Sequence, residues 1–270
     1  MGFKINTNVS SLYTNLSTQN SQKALDRTLA MLASGDALAN AANDAAGLAI
    51  SDGLSAQVSG YGQAMMNIND GIGLVQTADG AVQGLNDNLN RIRTLTLQAS
   101  NGTLNDSDRA IIQKEIDGVL KSMDSIVQGT SFNGKNLLDG SESLTLQIGA
   151  NSGETQRLNI PDMSTANLVG SIDVTTVTGR SNALDSIDSA MEQINSTQAT
   201  IGASQNQLES TFRNISQSQI NIASAESQIR DVDFAKESMN FSQQNIMTQA
   251  GSFAQAQANT SLASVMRLLK

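Results

Sequence analysis

The sequence predicts a mainly α protein: an elongated antiparallel helical bundle or coiled coil, with a small β-hairpin insertion and with its N- and C-terminal helices paired. Three patterns carry that expectation. Ile187, Ile194, Ile201, Leu208, Ile215, Ile222 and Ile229 recur every seven residues in the second half. Leu54, Tyr61, Ile68, Val75, Val82 and Leu89 do the same in the first half. Between the two ladders, Leu144, Leu146 and Ile148 alternate with Thr145 and Gln147, and alternation returns from Gln156 to Ile160. A seven-residue repeat brings a side chain back to nearly the same helix face, whereas alternation belongs to a strand with one covered face. A straight helix drifts by roughly 20° per heptad, so the longer ladder would turn about 120° out of line unless it supercoils against partners. Two ladders of matching length from opposite halves invite antiparallel pairing.

Taken in order, residues 3–33 read as an amphipathic helix. Ile5, Val9, Leu12 and Leu16 form its stripe, and Leu25, Leu29 and Leu32 resume it after a polar gap from Gln19 to Lys23. So narrow a stripe is marginal alone, and at a chain end it reads as an interaction arm. Residues 34–47 hold Gly35, Gly47 and several Asn and Asp, the composition of a joint. A rod follows from about Ala49 to Ala99. Val58, Met65 and Ile72 fill its second apolar row, and Ala78, Leu85, Ile92 and Ala99 take that row over one step out of phase. Gly60, Gly62, Gly71, Gly73, Gly80 and Gly84 lie within it. Each costs roughly 1 kcal/mol of helix propensity relative to Ala, so packing must hold the rod.

Asn101-Gly102 ends the rod, and Asn105, Asp106, Ser107 and Asp108 offer N-cap oxygens to the next helix. Ile112, Ile116, Val119, Met123 and Ile126 stripe that helix to about Gln128. Asn133-Gly134 and Asp139-Gly140 then punctuate a change of period. The hairpin follows, and one more short strand is expected at Ile172 to Val177. Helix returns at about Ser181. Leu184, Met191 and Phe212 form the companion row of its ladder, interrupted by Gln198, Gln205, Gln219 and Glu226. After Arg230-Asp231-Val232-Asp233, a last helix carries Phe241, Ile246, Ala250, Phe253, Leu262, Val265, Leu268 and Leu269. The organisation is nested: 1–45 with 231–270 as a terminal coiled-coil domain, and 46–180 with 181–230 as a helical rod bearing the hairpin.

Composition narrows the chemistry. The 270 residues include no Cys, His or Trp and one Pro, and aromatics make up 3 %. Without His or Cys the common metal sites and most nucleophile–base pairs are excluded, so no enzyme activity, cofactor or metal is expected. Asp106 and Asp108 lack the spaced Glu of a calcium loop and read as helix caps. The glycines from 71 to 84 lack a Gly-Lys-Ser/Thr element and are no phosphate cradle. A net charge of −9 makes nucleic acid a poor partner. No apolar run is long enough to span a membrane, and the start lacks the apolar core of a signal peptide. Export, on this reading, uses no cleaved signal.

Several stretches carry a family likeness. Asn43-Asp44-Ala45-Ala46-Gly47-Leu48-Ala49-Ile50, Asn67-Ile68-Asn69-Asp70-Gly71-Ile72 and Gln76-Thr77-Ala78-Asp79-Gly80-Ala81 are among them. So are Arg91-Ile92-Arg93-Thr94-Leu95-Thr96-Leu97-Gln98-Ala99, Phe132-Asn133-Gly134 and Ala225-Glu226-Ser227-Gln228-Ile229-Arg230-Asp231-Val232-Asp233-Phe234-Ala235. With Gln249-Ala250-Gly251, Ala256-Gln257-Ala258-Asn259 and Leu268-Leu269, these resemble bacterial flagellin over essentially the whole chain, in a short form with little of the variable outer region. Ala37-Leu38-Ala39 departs from the pattern, standing where the family usually has Arg-Ile-Asn.

The resemblance implies an extracellular structural subunit of the flagellar filament, a helical homopolymer serving swimming motility, whose terminal helices form the inner core. It implies export through the flagellar type III route, with an export chaperone and cap and junction proteins as partners. It also implies a surface for a host innate immune Toll-like receptor at Arg91, Leu95 and Glu115, all placed off the apolar seams by helical phase. The residues expected to drive assembly are Ile5, Val9, Leu12, Leu16, Val265, Leu268 and Leu269. Fixing a residue's backbone costs ~1–2 kcal/mol. A buried side chain of this size contributes roughly 1.5–3 kcal/mol, so several together offset the ordering of an arm. Two rival readings are a hook–filament junction protein with the same terminal arms and a signalling coiled coil, the latter disfavoured by the hairpin between the rods.

Overall fold

The computed structural model describes residues 8–140 and 143–268, with side chains at all of these except 262 and 265–268. Among them the helices are α1 (Val9–Ser34), α2 (Ala45–Ala99), α3 (Asp106–Gly129), α4 (Thr165–Leu168), α5 (Val177–Arg230) and α6 (Phe234–Leu268). The strands are β1 (Ser131–Phe132), β2 (Lys135–Asn136), β3 (Leu144–Gln147) and β4 (Thr155–Leu158). The chain divides into two compact units, one from residues 57–220 and one from 1–56 with 221–270.

Short polar side chains start the helices. Asn105 and Asp108 form a reciprocal capping box at α3, each side chain accepting from the other's backbone N–H. Asp44 accepts from the Ala46 and Gly47 N–H groups at α2, and Asp233 from Ala235 and Lys236 at α6. The Thr176 hydroxyl accepts from the Gly179 N–H at α5. Each satisfies donors that a helix N-terminus leaves without an intrahelical partner.

In the 57–220 unit, α2 pairs antiparallel with both α5 and α3. Gln219 donates to the Val58 carbonyl at 3.2 Å, a Cβ at Gly71 would lie 3.5 Å from Leu208, and Arg93 pairs with Asp188 at 3.0 Å. As the number rises along α2 it falls along α5. Arg91 pairs with Glu115, and Arg109 donates to the Ala99 carbonyl, so α3 runs the same way as α5. The ladder residues Ile68, Val75, Val82 and Leu89 are fully buried, as are Ile187, Ile194, Ile201 and Leu208. The buried companions on α5 are Ala183, Ala190 and Thr197, while Leu184, Met191 and Phe212 are half-buried. The ladder side chains are thus enclosed with small residues beside them, and Leu184, Met191 and Phe212 flank the seam.

The hairpin is antiparallel, with Leu144 opposite Leu158 and Gln147 opposite Thr155. It lies on α2, where the Asn67 amide donates to the Gln147 carbonyl at 3.0 Å. A Cβ at Gly60 would come within 2.8 Å of Ala150, and one at Gly71 within 2.5 Å of Leu146. These two glycines make room for the hairpin. A second, tighter pair joins β1 and β2 around Asn133 and Gly134, both with positive φ, the signature of a two-residue type I′ turn. The sequence pattern marked that turn without announcing its strands.

One expectation fails in this unit. The segment from Ile172 to Val177 forms no strand; α5 already begins at Val177. The alternation there is real, since Ile172 and Val174 are buried and Asp173 exposed. The backbone partner is a side chain instead. The Gln113 amide donates to the Ile172 carbonyl at 2.9 Å, and its oxygen accepts from the Val174 N–H at 2.8 Å. One primary amide thereby imitates a neighbouring peptide unit. The short helix α4, also unexpected, is fixed by Asp124, which accepts from both the N–H and the hydroxyl of Thr165.

Candidate assembly surface

The other unit contains α1 and α6, which also run antiparallel. Asn8 caps α1 by accepting from the Ser11 N–H, and its amide donates to the Ala258 carbonyl at 3.4 Å. Further along, Gly251 of α6 lies against Thr18, where a Cβ would collide with the hydroxyl. At the far end Asp36 bridges Asp231: the Ala37 N–H donates to the Arg230 carbonyl at 2.8 Å and the Val232 N–H to the Gly35 carbonyl at 3.1 Å.

The seam between these helices is polar and small. Its buried residues on α1 are Ser21 and Thr28. An open groove of about 470 Å³ alongside is lined by Tyr13, Ser17, Ser21, Met247, Gly251 and Ala254 among others. Leu25, Met31, Leu32 and Phe241 are half-buried, and several other large apolar side chains are left exposed. Leu12 is 62 % exposed, Leu16 56 % and Phe253 75 %. Val9, Tyr13, Leu29, Phe234, Met239 and Ile246 are also exposed. Burying apolar area is the main favourable term in association, and this pair leaves much of that area on the outside.

Of the residues expected to drive assembly, Val9, Leu12 and Leu16 therefore lie on an exposed face of α1. Ile5 and Leu269 fall outside the described residues. Val265 and Leu268 lie within the helical span of α6, but their side chains are outside what is described. Tyr13, exposed beside Leu12, escaped the pattern reading because it falls one step off the stripe.

The joint is tied by charge as well as backbone. Arg230 donates to Asp36 at 3.0 Å and to Glu226 at 3.4 Å. The hydrogen bond and charge of Asp36 hold the guanidinium proton more tightly than usual, with Glu226 adding to the effect. The pair is partly exposed, so solvent screens it and the backbone bonds carry more of the joint. At the departure from the family pattern, Leu38 is buried and Ala37 contributes backbone groups, with Asn43 donating to its carbonyl.

Arg91, Leu95 and Glu115 lie in the other unit. Arg91 and Glu115 form an exposed ion pair between α2 and α3. Leu95 is 2 % exposed and belongs to the core, which corrects its placement off the seams. It sits one turn from Arg91 and one turn from Ala99, both bonded to α3, so it shares the face that α3 covers. A phase argument based on α5 alone misses that second covered face. Among the described residues no helix is long and apolar enough to cross a membrane, and no cluster of acidic, His or Cys side chains could hold a metal ion.

Comparison with known proteins gives the family. Residues 5–143 match the bacterial flagellin N-terminal helical region, and residues 184–269 match the C-terminal helical region. A flagellin from Halalkalibacterium halodurans is 37 % identical over 253 residues, 92 % of each chain. A flagellar filament 31.3 kDa core protein from Treponema maltophilum is 34 % identical over 284 residues, covering 98 % of this chain and 99 % of that protein. The crystal structure of Bacillus cereus flagellin superposes with a TM-score of 0.52 at 28 % identity, over 60 % of this chain and 94 % of that one. With both helical regions matched in order and relatives aligned along nearly its full length, the chain belongs to the bacterial flagellin family.

Proposed function

We propose that this chain is a structural subunit of the bacterial flagellar filament, which assembles by self-association through α1 and α6 and serves swimming. The observation that carries the reading is the disposition of side chains in that pair: the buried residues of α1 are Ser21 and Thr28, while Val9, Leu12, Tyr13, Leu16, Leu29, Ile246 and Phe253 are exposed. A further copy supplies the missing cover for such a face, and contact between unlike surfaces that does not close yields a fibre. The subunit works outside the cell after export through the flagellar route, handled by an export chaperone and positioned by cap and junction proteins. A host Toll-like receptor docking on α2 and α3 would touch Arg91 and Glu115, with Leu95 supporting the surface from inside.

The test is polymerisation of the Leu12→Asp, Leu16→Asp double variant. Both side chains are exposed, so the helical circular dichroism signal of the free chain should stay unchanged while filaments disappear from electron micrographs after seeding. Normal filaments from this variant would defeat the proposal.

A further inference from the structure

We propose that Asn101 is a site of spontaneous deamidation, with the Gly102 backbone nitrogen as the nucleophile and solvent water as the co-reactant. The turn after α2 presents Asn101-Gly102 on the surface. Two sets of hydrogen bonds there favour the reaction. The Thr103 N–H donates to Asn101 Oδ1 at 3.2 Å. That oxygen takes up negative charge when the side-chain carbon is attacked, so the donor is already aimed where charge develops. The Asn101 backbone carbonyl accepts from Arg109 Nη2 and from the Leu104 N–H, each at 3.3 Å. A guanidinium on that carbonyl draws electron density from the Asn101–Gly102 peptide and makes its N–H more acidic. Arg109 is held in place by further bonds to the Ala99 carbonyl and Asp106.

In the reaction the Gly102 N–H gives its proton to solvent hydroxide, and the nitrogen bonds to Asn101 Cγ. The bond from Cγ to the amide nitrogen breaks, and that nitrogen leaves as ammonia after taking a proton from water. A water molecule then opens the cyclic imide at one of its carbonyls, giving Asp or the isoaspartyl form with one extra backbone carbon. One water is consumed and one ammonia released. Glycine suits the step because no Cβ crowds the attacking nitrogen.

The chain contains its own control. Asn133-Gly134 is the same exposed dipeptide, but both residues hold positive φ between the pairs Phe132–Lys135 and Ser131–Asn136. Leu137 and Leu138 follow at once in the core. Ring closure requires rotation about the asparagine Cα–C bond, and at Asn133 that rotation would break the hairpin register.

The experiment ages the purified full chain at mildly alkaline pH, folded and in denaturant, and follows both asparagines by peptide mass spectrometry with enzymatic detection of isoaspartate. In the folded chain Asn101 should convert several-fold faster than Asn133, and in denaturant the two rates should approach each other. Equal rates in the folded chain, or a lead for Asn133, would overturn the assignment. Arg109→Lys keeps the charge and loses the fork, and should slow Asn101 several-fold with Asn133 unchanged and helicity retained. An unchanged rate at Asn101 in that variant would remove Arg109 from the mechanism.

Discussion

Gln113 does for one stretch of backbone what a sheet neighbour does elsewhere. It satisfies the Ile172 carbonyl and the Val174 N–H, which flank two buried side chains. Gln113→Leu should therefore cost more than an ordinary surface change, about 1–3 kcal/mol for each polar group left unsatisfied. Chemical denaturation measures the loss, and faster amide exchange at Val174 locates it. A variant as stable as the parent would contradict this role. Two carboxylates make a second residue-scale prediction. Glu154 is held below the usual carboxylate range by the Asn151 N–H and then by its side-chain amide. Asp173 is held low by the Thr175 hydroxyl and then by its N–H. For a folded pKa below the unfolded one, the stabilisation is complete above the unfolded value and fades as pH falls through the folded value. NMR titration should place both midpoints below those of the unfolded chain, and midpoints at or above them would refute the assignment. The helix caps were legible at this scale, because Asn105 and Asp108 act within a few residues. Gln113 was not, since its partners lie some sixty positions away and no local pattern distinguishes it.

At the scale of elements, the ladders in α2 and α5 could be read directly because burial repeats with the helix period. What the repeat could not show is how many neighbours each rod has. The pairing of α3 with α2 gives α2 a second covered face and buries Leu95. The expected strand near Ile172 shows the converse problem, as alternation registers burial and is silent on who supplies the hydrogen bonds. The glycines of α2 separate into those that fit a neighbour and those that do not. Around Gly80 nothing lies within 4 Å of an added Cβ, whereas at Gly71 the Leu146 side chain is in the way. Gly80→Ala should raise stability by about 1 kcal/mol through helix propensity. Gly71→Ala should forfeit that gain, because displacing Leu146 typically costs about 1–3 kcal/mol. Thermal unfolding of the pair decides it, and equal shifts of the same sign would show that the hairpin does not need the space.

For the whole molecule, the two units differ in what holds them. The 57–220 unit is closed over apolar rows, with Ile68, Leu89, Ile116 and Ile194 inaccessible to solvent. The α1–α6 pair is closed over Ser21, Thr28 and Gly251. Regions with few buried apolar contacts open at lower free energy. Limited proteolysis of the free chain should therefore remove both ends and leave a resistant core near residues 45–230, whereas the polymer should resist. Equal resistance of the two forms would argue that the ends need no neighbour. The stripe on α1 and its use between copies were legible in the sequence, but its division was not: Leu12, Leu16 and Leu29 are exposed while Leu25 and Leu32 are half-buried. That division depends on which face the partner helix takes, and small polar residues give no periodic signal of that.

The outward leucines and aromatics of α1 and α6 also set a limit on stockpiling. A free subunit carries its adhesive uncovered, so two that meet before assembly can stick in any register. The number held in waiting must stay small, because every unassembled copy is a candidate for pairing in the wrong register.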